Sequence, residues 1–136
     1  MPDLVSLERR PRDRAVSGQI DLEAIHQLAL VAARAAVSVK ADDVKVLDMH
    51  ELVSYTDFLV VCTGSNTRLT RRIAEEVALR LKTEAGLRPL GTEGAGSGEW
   101  ILLDFLDFVV HVFTPKAREF YRLDVLWRQA PAETVT

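Results

Sequence analysis

Apolar residues recur every three or four positions between Leu22 and Val39, with Leu22, Ile25, Leu28, Ala32, Ala35 and Val39 on one stripe. That spacing predicts an amphipathic helix, and Asp21 just before it supplies an N-cap carboxylate. The period then changes. Val44 to Met49 alternates loosely and predicts a strand. Asp57 to Thr63 is apolar on both faces, as in a central strand covered on each side. The segment HELVSYT between them reads as a connection. Gly64 and Ser65 close the second strand. Helical spacing resumes from Thr67 to Ala85 through Leu69, Ile73, Val77 and Leu81, and Gly86 is placed to terminate that helix.

Residues 86–99 hold five of the seven glycines and predict a long, mobile loop with a short strand around Leu90 to Glu93. Trp100 to Asp104 and Phe108 to Phe113 predict a strand pair with a tight turn. Thr114 then caps a last short helix, with Pro115 in its first position. The order indicates an α/β single domain, a mixed sheet of about five strands flanked by helices. Its expected span is residues 20–128, with residues 129–136 a frayed tail. Residues 1–19 carry Arg9, Arg10, Arg12 and Arg14 without sustained periodicity and read as a flexible, solvated tail. A minor RNA contact through those arginines stays open.

Strand alternation makes the hairpin informative. Ile101 and Leu103 share one face with Phe108, Val110 and Val112, which must be core. Trp100, Leu102, Asp104, Asp107, Val109 and His111 share the other. A two-residue turn at Phe105 and Leu106 would set Asp104 opposite Asp107 and Trp100 opposite His111. The second face mixes aromatic and acidic groups. It reads as an interface with an aromatic anchor and an acidic rim suited to a basic partner. It reads equally as a core surface under a helix, with the aspartates at the wet end of the hairpin.

Composition narrows the partners. The chain has 136 residues and a net charge of −3. It therefore lacks the global cationic field that phosphate-dominated nucleic-acid binding needs. The single cysteine, Cys62, lies in an apolar run and reads as a small buried hydrophobe. The charged start has no apolar secretory core and no apolar stretch approaches membrane-spanning length, so a cytoplasmic protein without membrane contact is expected.

Dedicated chemistry is sparse. Gly64-Ser65-Asn66-Thr67-Arg68 joins a strand to a helix and could cradle an anion. It lacks the P-loop and dinucleotide fingerprints, and a plain turn with an N-cap from Ser65 or Thr67 explains it. A strand ending in Gly-Ser also suits nucleotidyltransferases, but the paired carboxylates that hold their metal ions do not follow. His26, His50 and His111 are not at metal-ligand spacing. No cofactor is expected. The competing reading is a nucleotide-binding enzyme built on Gly64, Ser65, Asp104 and Asp107.

Five motifs together carry a resemblance. They are S-Y-T-D-F ending at Phe58, T-G-S-N-T-R ending at Arg68, P-L-G-T-E-G ending at Gly94, G-E-W ending at Trp100, and V-V-H-V-F ending at Phe113. Over about residues 22–127 the chain resembles the ribosomal silencing factor family, also called Iojap-related. The resemblance implies a fold like that of nucleotidyltransferases without their active site. It implies no enzymatic activity. The partner implied is the large ribosomal subunit, through its protein fourteen. Binding there blocks the small subunit and represses translation when nutrients are scarce. A homodimer is implied for the free protein. Carried onto this chain, the contact surface matches Trp100, Leu102, Asp104, His111, Glu93 and Tyr121. One position departs. The family usually has glycine in the hairpin turn, where this chain has Leu106.

Overall fold

The computed structural model describes residues 2–10, 12, 21–121 and 127–136. Residues 1, 11 and 13–19 of the expected tail, Arg14 among them, lie outside the described residues. In chain order the elements are α1 (Leu4–Arg9), α2 (Leu22–Ser38), β1 (Asp42–Asp48), β2 (Phe58–Thr63), α3 (Thr67–Ala85) and β3 (Gly91–Glu93). They continue with β4 (Trp100–Asp104), β5 (Phe108–Phe113), α4 (Pro115–Tyr121) and β6 (Ala132–Val135). Six strands form one sheet in the order β3-β4-β5-β2-β1-β6. Only β2 and β5 pair in parallel among these neighbours. They sit at the centre and are buried along their whole length, which explains why β2 is apolar on both faces.

Local chemistry fixes the helices. Asp21 caps α2, its carboxylate accepting from the N–H groups of Glu23 and Ala24. The cap of α3 is Asn66, which accepts from the Leu69 N–H at 2.8 Å, rather than Ser65 or Thr67. Gly86 ends α3 in the left-handed region, at φ 66°. Thr114 accepts from the Ala117 N–H and caps α4.

Helices α2 and α3 cover one sheet face. Val46, Phe58, Val60, Ile101, Leu103 and Val110 meet Ala29, Ala33, Ile73 and Val77 there in the main core. The five buried alanines of α2, Ala29, Ala32, Ala33, Ala35 and Ala36, let the helix approach closely. The opposite face carries Leu47, Leu59, Val61, Trp100, Leu102, Val109 and Phe113. It is covered by Leu7, Ala117, Trp127 and Ala130, from α1, α4 and the segment before β6.

Both expected tails are ordered where the structure describes them. Residues 4–9 form α1, whose N-cap Asp3 accepts from the Ser6 N–H, instead of a structureless arm. The stretch expected to fray contains β6, which pairs antiparallel with β1 and so completes a sixth strand. The glycine loop is also tied down. Arg71 donates to the carbonyls of Ala95 and Gly96 at 3.0 and 2.8 Å, and the Thr70 hydroxyl to that of Gly98 at 2.6 Å. Gly94 closes the loop at φ 84°, where a Cβ would lie 1.9 Å from the Trp100 carbonyl oxygen.

The hairpin register differs from the expected one. Trp100 lies opposite Phe113, and Leu102 opposite His111. The turn residues are Leu106 and Asp107, bracketed by Phe105 donating its N–H to the Phe108 carbonyl. Moving the turn centre by one residue slides the register by two, and a two-residue slide keeps every side chain on its face. The turn itself is strained. Leu106 sits at φ 71° while the Asp107 N–H donates to the Phe105 carbonyl, a γ-turn of the rare kind. A left-handed L-residue costs roughly 1–2 kcal/mol. Replacing Leu106 by glycine removes that strain and should stabilise the protein by about 1 kcal/mol after glycine's own entropic cost. A urea midpoint unchanged or lowered would show that the packing of half-buried Leu106 outweighs its strain.

Candidate functional site

The six residues expected on the contact surface do gather on the sheet face opposite α2 and α3, but at different depths. Trp100, Leu102 and His111 are buried, at 3%, 2% and 1% exposure. They form the floor. The Trp100 ring stacks on Phe113 at 5.1 Å and meets Tyr121 at 4.9 Å. Its indole N–H donates to His111 Nδ1 at 3.0 Å. That bond makes Nδ1 the acceptor, so neutral His111 carries its proton on Nε2. The Trp127 ring also meets the imidazole, at 5.4 Å. Burial among these rings holds the His111 pKa down at about 3, so the floor is uncharged at neutral pH. Trp100 is therefore an internal brace rather than an exposed anchor. The aromatic half of this face is a covered core surface, with the aspartates at the wet end of the hairpin.

The rim is what a partner can reach. Glu93 on β3 is exposed, Asp104 ends β4, and Asp107 stands in the turn. Tyr121, half-buried at the end of α4, borders the same face, and exposed Phe120 precedes it. Asp57 lies beneath this rim, fully buried just before β2. Four carboxylates thus line one side of the sheet.

Arginines answer three of them. The Arg10 guanidinium is ion-paired with Asp104 and also donates to the carbonyls of Leu106 at 2.8 Å and Tyr55 at 3.1 Å. Arg12 reaches both oxygens of Asp57 at 3.0 and 3.1 Å, Asp107 at 2.9 Å and the Ser54 carbonyl at 3.0 Å. These arginines were expected to be solvated, yet the Arg12 side chain is only 4% exposed. Glu93 accepts from the Asp3 N–H at 2.8 Å. Sequence reasoning missed Asp57, Arg10 and Arg12. The one signal was a carboxylate directly before a wholly apolar strand, where a charge needs a partner.

The nucleotide-binding alternative finds other uses for its residues. A Cβ at Gly64 would come within 2.9 Å of the Thr70 nitrogen, so this glycine admits close packing of α3. The Gly64 N–H donates to the Phe113 carbonyl at 2.8 Å and is not free for an anion. Asp104 and Asp107 are engaged by arginines. Among the described residues, no three His, Cys, Asp or Glu side chains are grouped to hold a metal ion. Burial pushes the Cys62 thiol up to about 12, far from a reactive thiolate. Among the described residues no helix is long and apolar enough to cross a membrane.

Comparison with known proteins converges on one family. The model of the family described as ribosomal silencing factor during starvation matches residues 22–136. A ribosomal silencing factor of Chromobacterium violaceum is 38% identical over 103 residues, spanning 76% of this chain and 84% of its own length. That of Bacillus subtilis is 34% identical over 101 residues, 74% of this chain and 85% of its own. The chloroplastic protein Iojap of Zea mays is 32% identical over 120 residues, 88% of this chain and 51% of its own. A crystal structure of a Chromobacterium violaceum protein superposes with a TM-score of 0.73 at 38% identity, covering 76% of this chain and 86% of that one. One from Bacillus halodurans gives 0.67 at 32% identity, covering 82% and 98%.

Proposed function

Since this chain belongs to the ribosomal silencing factor family, a family of regulatory proteins, we propose that it binds the large ribosomal subunit through protein fourteen of that subunit. Bound there it excludes the small subunit by volume and represses translation under nutrient limitation. Such a block needs no catalytic group. The working location is the cytoplasm, and the free protein is a homodimer.

The observation that supports this reading is the acidic rim of Glu93, Asp104 and Asp107 beside Tyr121, over an uncharged aromatic floor. Carboxylates on a docking face favour a basic protein surface and speed encounter with it. The contact residues proposed are Glu93, Asp104 and Tyr121 directly. Trp100, Leu102 and His111 hold the strands that present them.

Glu93 gives the cleanest test because it is exposed, so reversing its charge leaves the core untouched. Wild-type protein should comigrate with large subunits in a gradient and reduce the fraction of joined ribosomes. Glu93→Lys should bind roughly tenfold more weakly while keeping its circular dichroism spectrum. Wild-type protein that stays at the top of the gradient would refute ribosome binding. Equal binding by Glu93→Lys would move the contact off this rim.

A further inference from the structure

The N-terminal segment presents a problem of occupancy. Residues 2–10 and 12 precede the part of the chain that matches the family, which begins at residue 22. They nevertheless lie on the face just described. Leu7 is buried in the same apolar cluster as Trp100 and Leu102. Arg10 and Arg12 fill two sockets made of Asp104, Asp57, Asp107 and the carbonyls of Ser54, Tyr55 and Leu106. Both sockets use the planar fork of a guanidinium, several acceptors to one group, which a lysine ammonium cannot match.

Helix α1 itself is held lightly. Helix α1 has six residues, too few to persist without its docking contacts. Leu7 is the only buried side chain in it. A cavity of about 220 Å³ remains beneath it, lined by Asp3, Leu7, Arg10, Glu93, Leu102 and Asp104. An intramolecular segment bound this way competes at the high effective concentration that tethering confers.

We propose that residues 2–10 are an internal ligand of the partner-binding face: α1 and Arg10 occupy the arginine socket at Asp104 that the partner's own arginine-bearing segment takes, and they leave when it binds, while Arg12 stays on buried Asp57. The proposal rests on the functional reading above and adds both the recognition chemistry and its regulation. The affinity observed for the partner is the intrinsic affinity reduced by the fraction of molecules whose face is open.

The test uses the full chain with Leu7→Asp and Arg10→Ala together, which loosen α1 while Arg12 stays on buried Asp57. Circular dichroism and unfolding midpoints establish that the variant is folded. A fluorescent peptide of the sequence of residues 2–10 is the second probe. The variant should bind large subunits roughly tenfold more tightly than wild type, and should bind the peptide where wild type does not. A folded variant that binds subunits no better than wild type overturns the proposal and leaves the ribosome reading standing. If neither protein binds subunits, the ribosome reading fails, and the peptide decides. Peptide binding by the variant alone then sustains the Arg10 socket, and no peptide binding rejects it. Should the double variant unfold, Arg10→Ala alone, at the more exposed pair, carries the same comparisons.

Discussion

Replacing Trp100 by alanine should destabilise the protein by about 4 kcal/mol, a large share of a small domain's usual 5–15 kcal/mol. Two terms add. The first is the cavity left by the indole, which packs on Phe113, Tyr121 and His111 at centroid distances of 5.1, 4.9 and 5.9 Å. Truncating a buried tryptophan to alanine costs roughly 3–5 kcal/mol. The second is the loss of the indole N–H donor, which leaves the buried Nδ1 of His111 without its partner. Trp100→Phe keeps most of the packing and loses the hydrogen bond, so it should fall between the two proteins. Urea unfolding followed by circular dichroism measures all three. A loss under about 1 kcal/mol for the alanine variant would contradict the packing described here. The consequence for function is practical. Weak ribosome binding by a Trp100 variant would mix lost stability with lost contact, which is why the binding test belongs at Glu93.

How much of this could be read from sequence depends on distance along the chain. The two faces of the hairpin were legible because alternation is local, and they survived a wrong register because the error was an even number of residues. Leu106 was legible as a departure, and the structure gives its reason, a left-handed turn position filled by a residue that resists it. What covers the hairpin was not legible. Leu7, Ala117 and Trp127 come from short segments without a sustained period, and their docking is fixed by contacts spanning most of the chain. The arginine sockets are hidden for the same reason. Arg10 and Asp104 are 94 residues apart, and a run of arginines beside prolines has the composition of a solvated tail. Strand β6 was missed because four residues with little alternation carry no signal until β1 offers an edge.

The buried histidine makes a second large prediction, in pH rather than packing. His111 has its pKa lowered from 6.5 to about 3 because burial among Trp100, Phe113 and Trp127 penalises the imidazolium. At pH 7 the residue is neutral folded and mostly neutral unfolded, so it adds little pH dependence. Below 6.5 the unfolded chain binds a proton at this position and the folded chain does not. Stability is therefore full above the unfolded pKa and is lost as pH falls toward the folded one, by roughly 1.4 kcal/mol for each unit. At pH 5 that amounts to about 2 kcal/mol. His111→Gln supplies an amide oxygen to accept from the Trp100 indole and has nothing to titrate. It should be less stable than wild type at pH 7, through imperfect packing. Between pH 7 and pH 5 it should lose about 2 kcal/mol less than wild type does. Every other ionisable group is common to both proteins and cancels in the comparison. Urea unfolding of the pair at both pH values gives the four numbers needed. Equal losses would mean that His111 is protonated in the folded protein at pH 5, and that the aromatic floor beneath the acidic rim carries a charge.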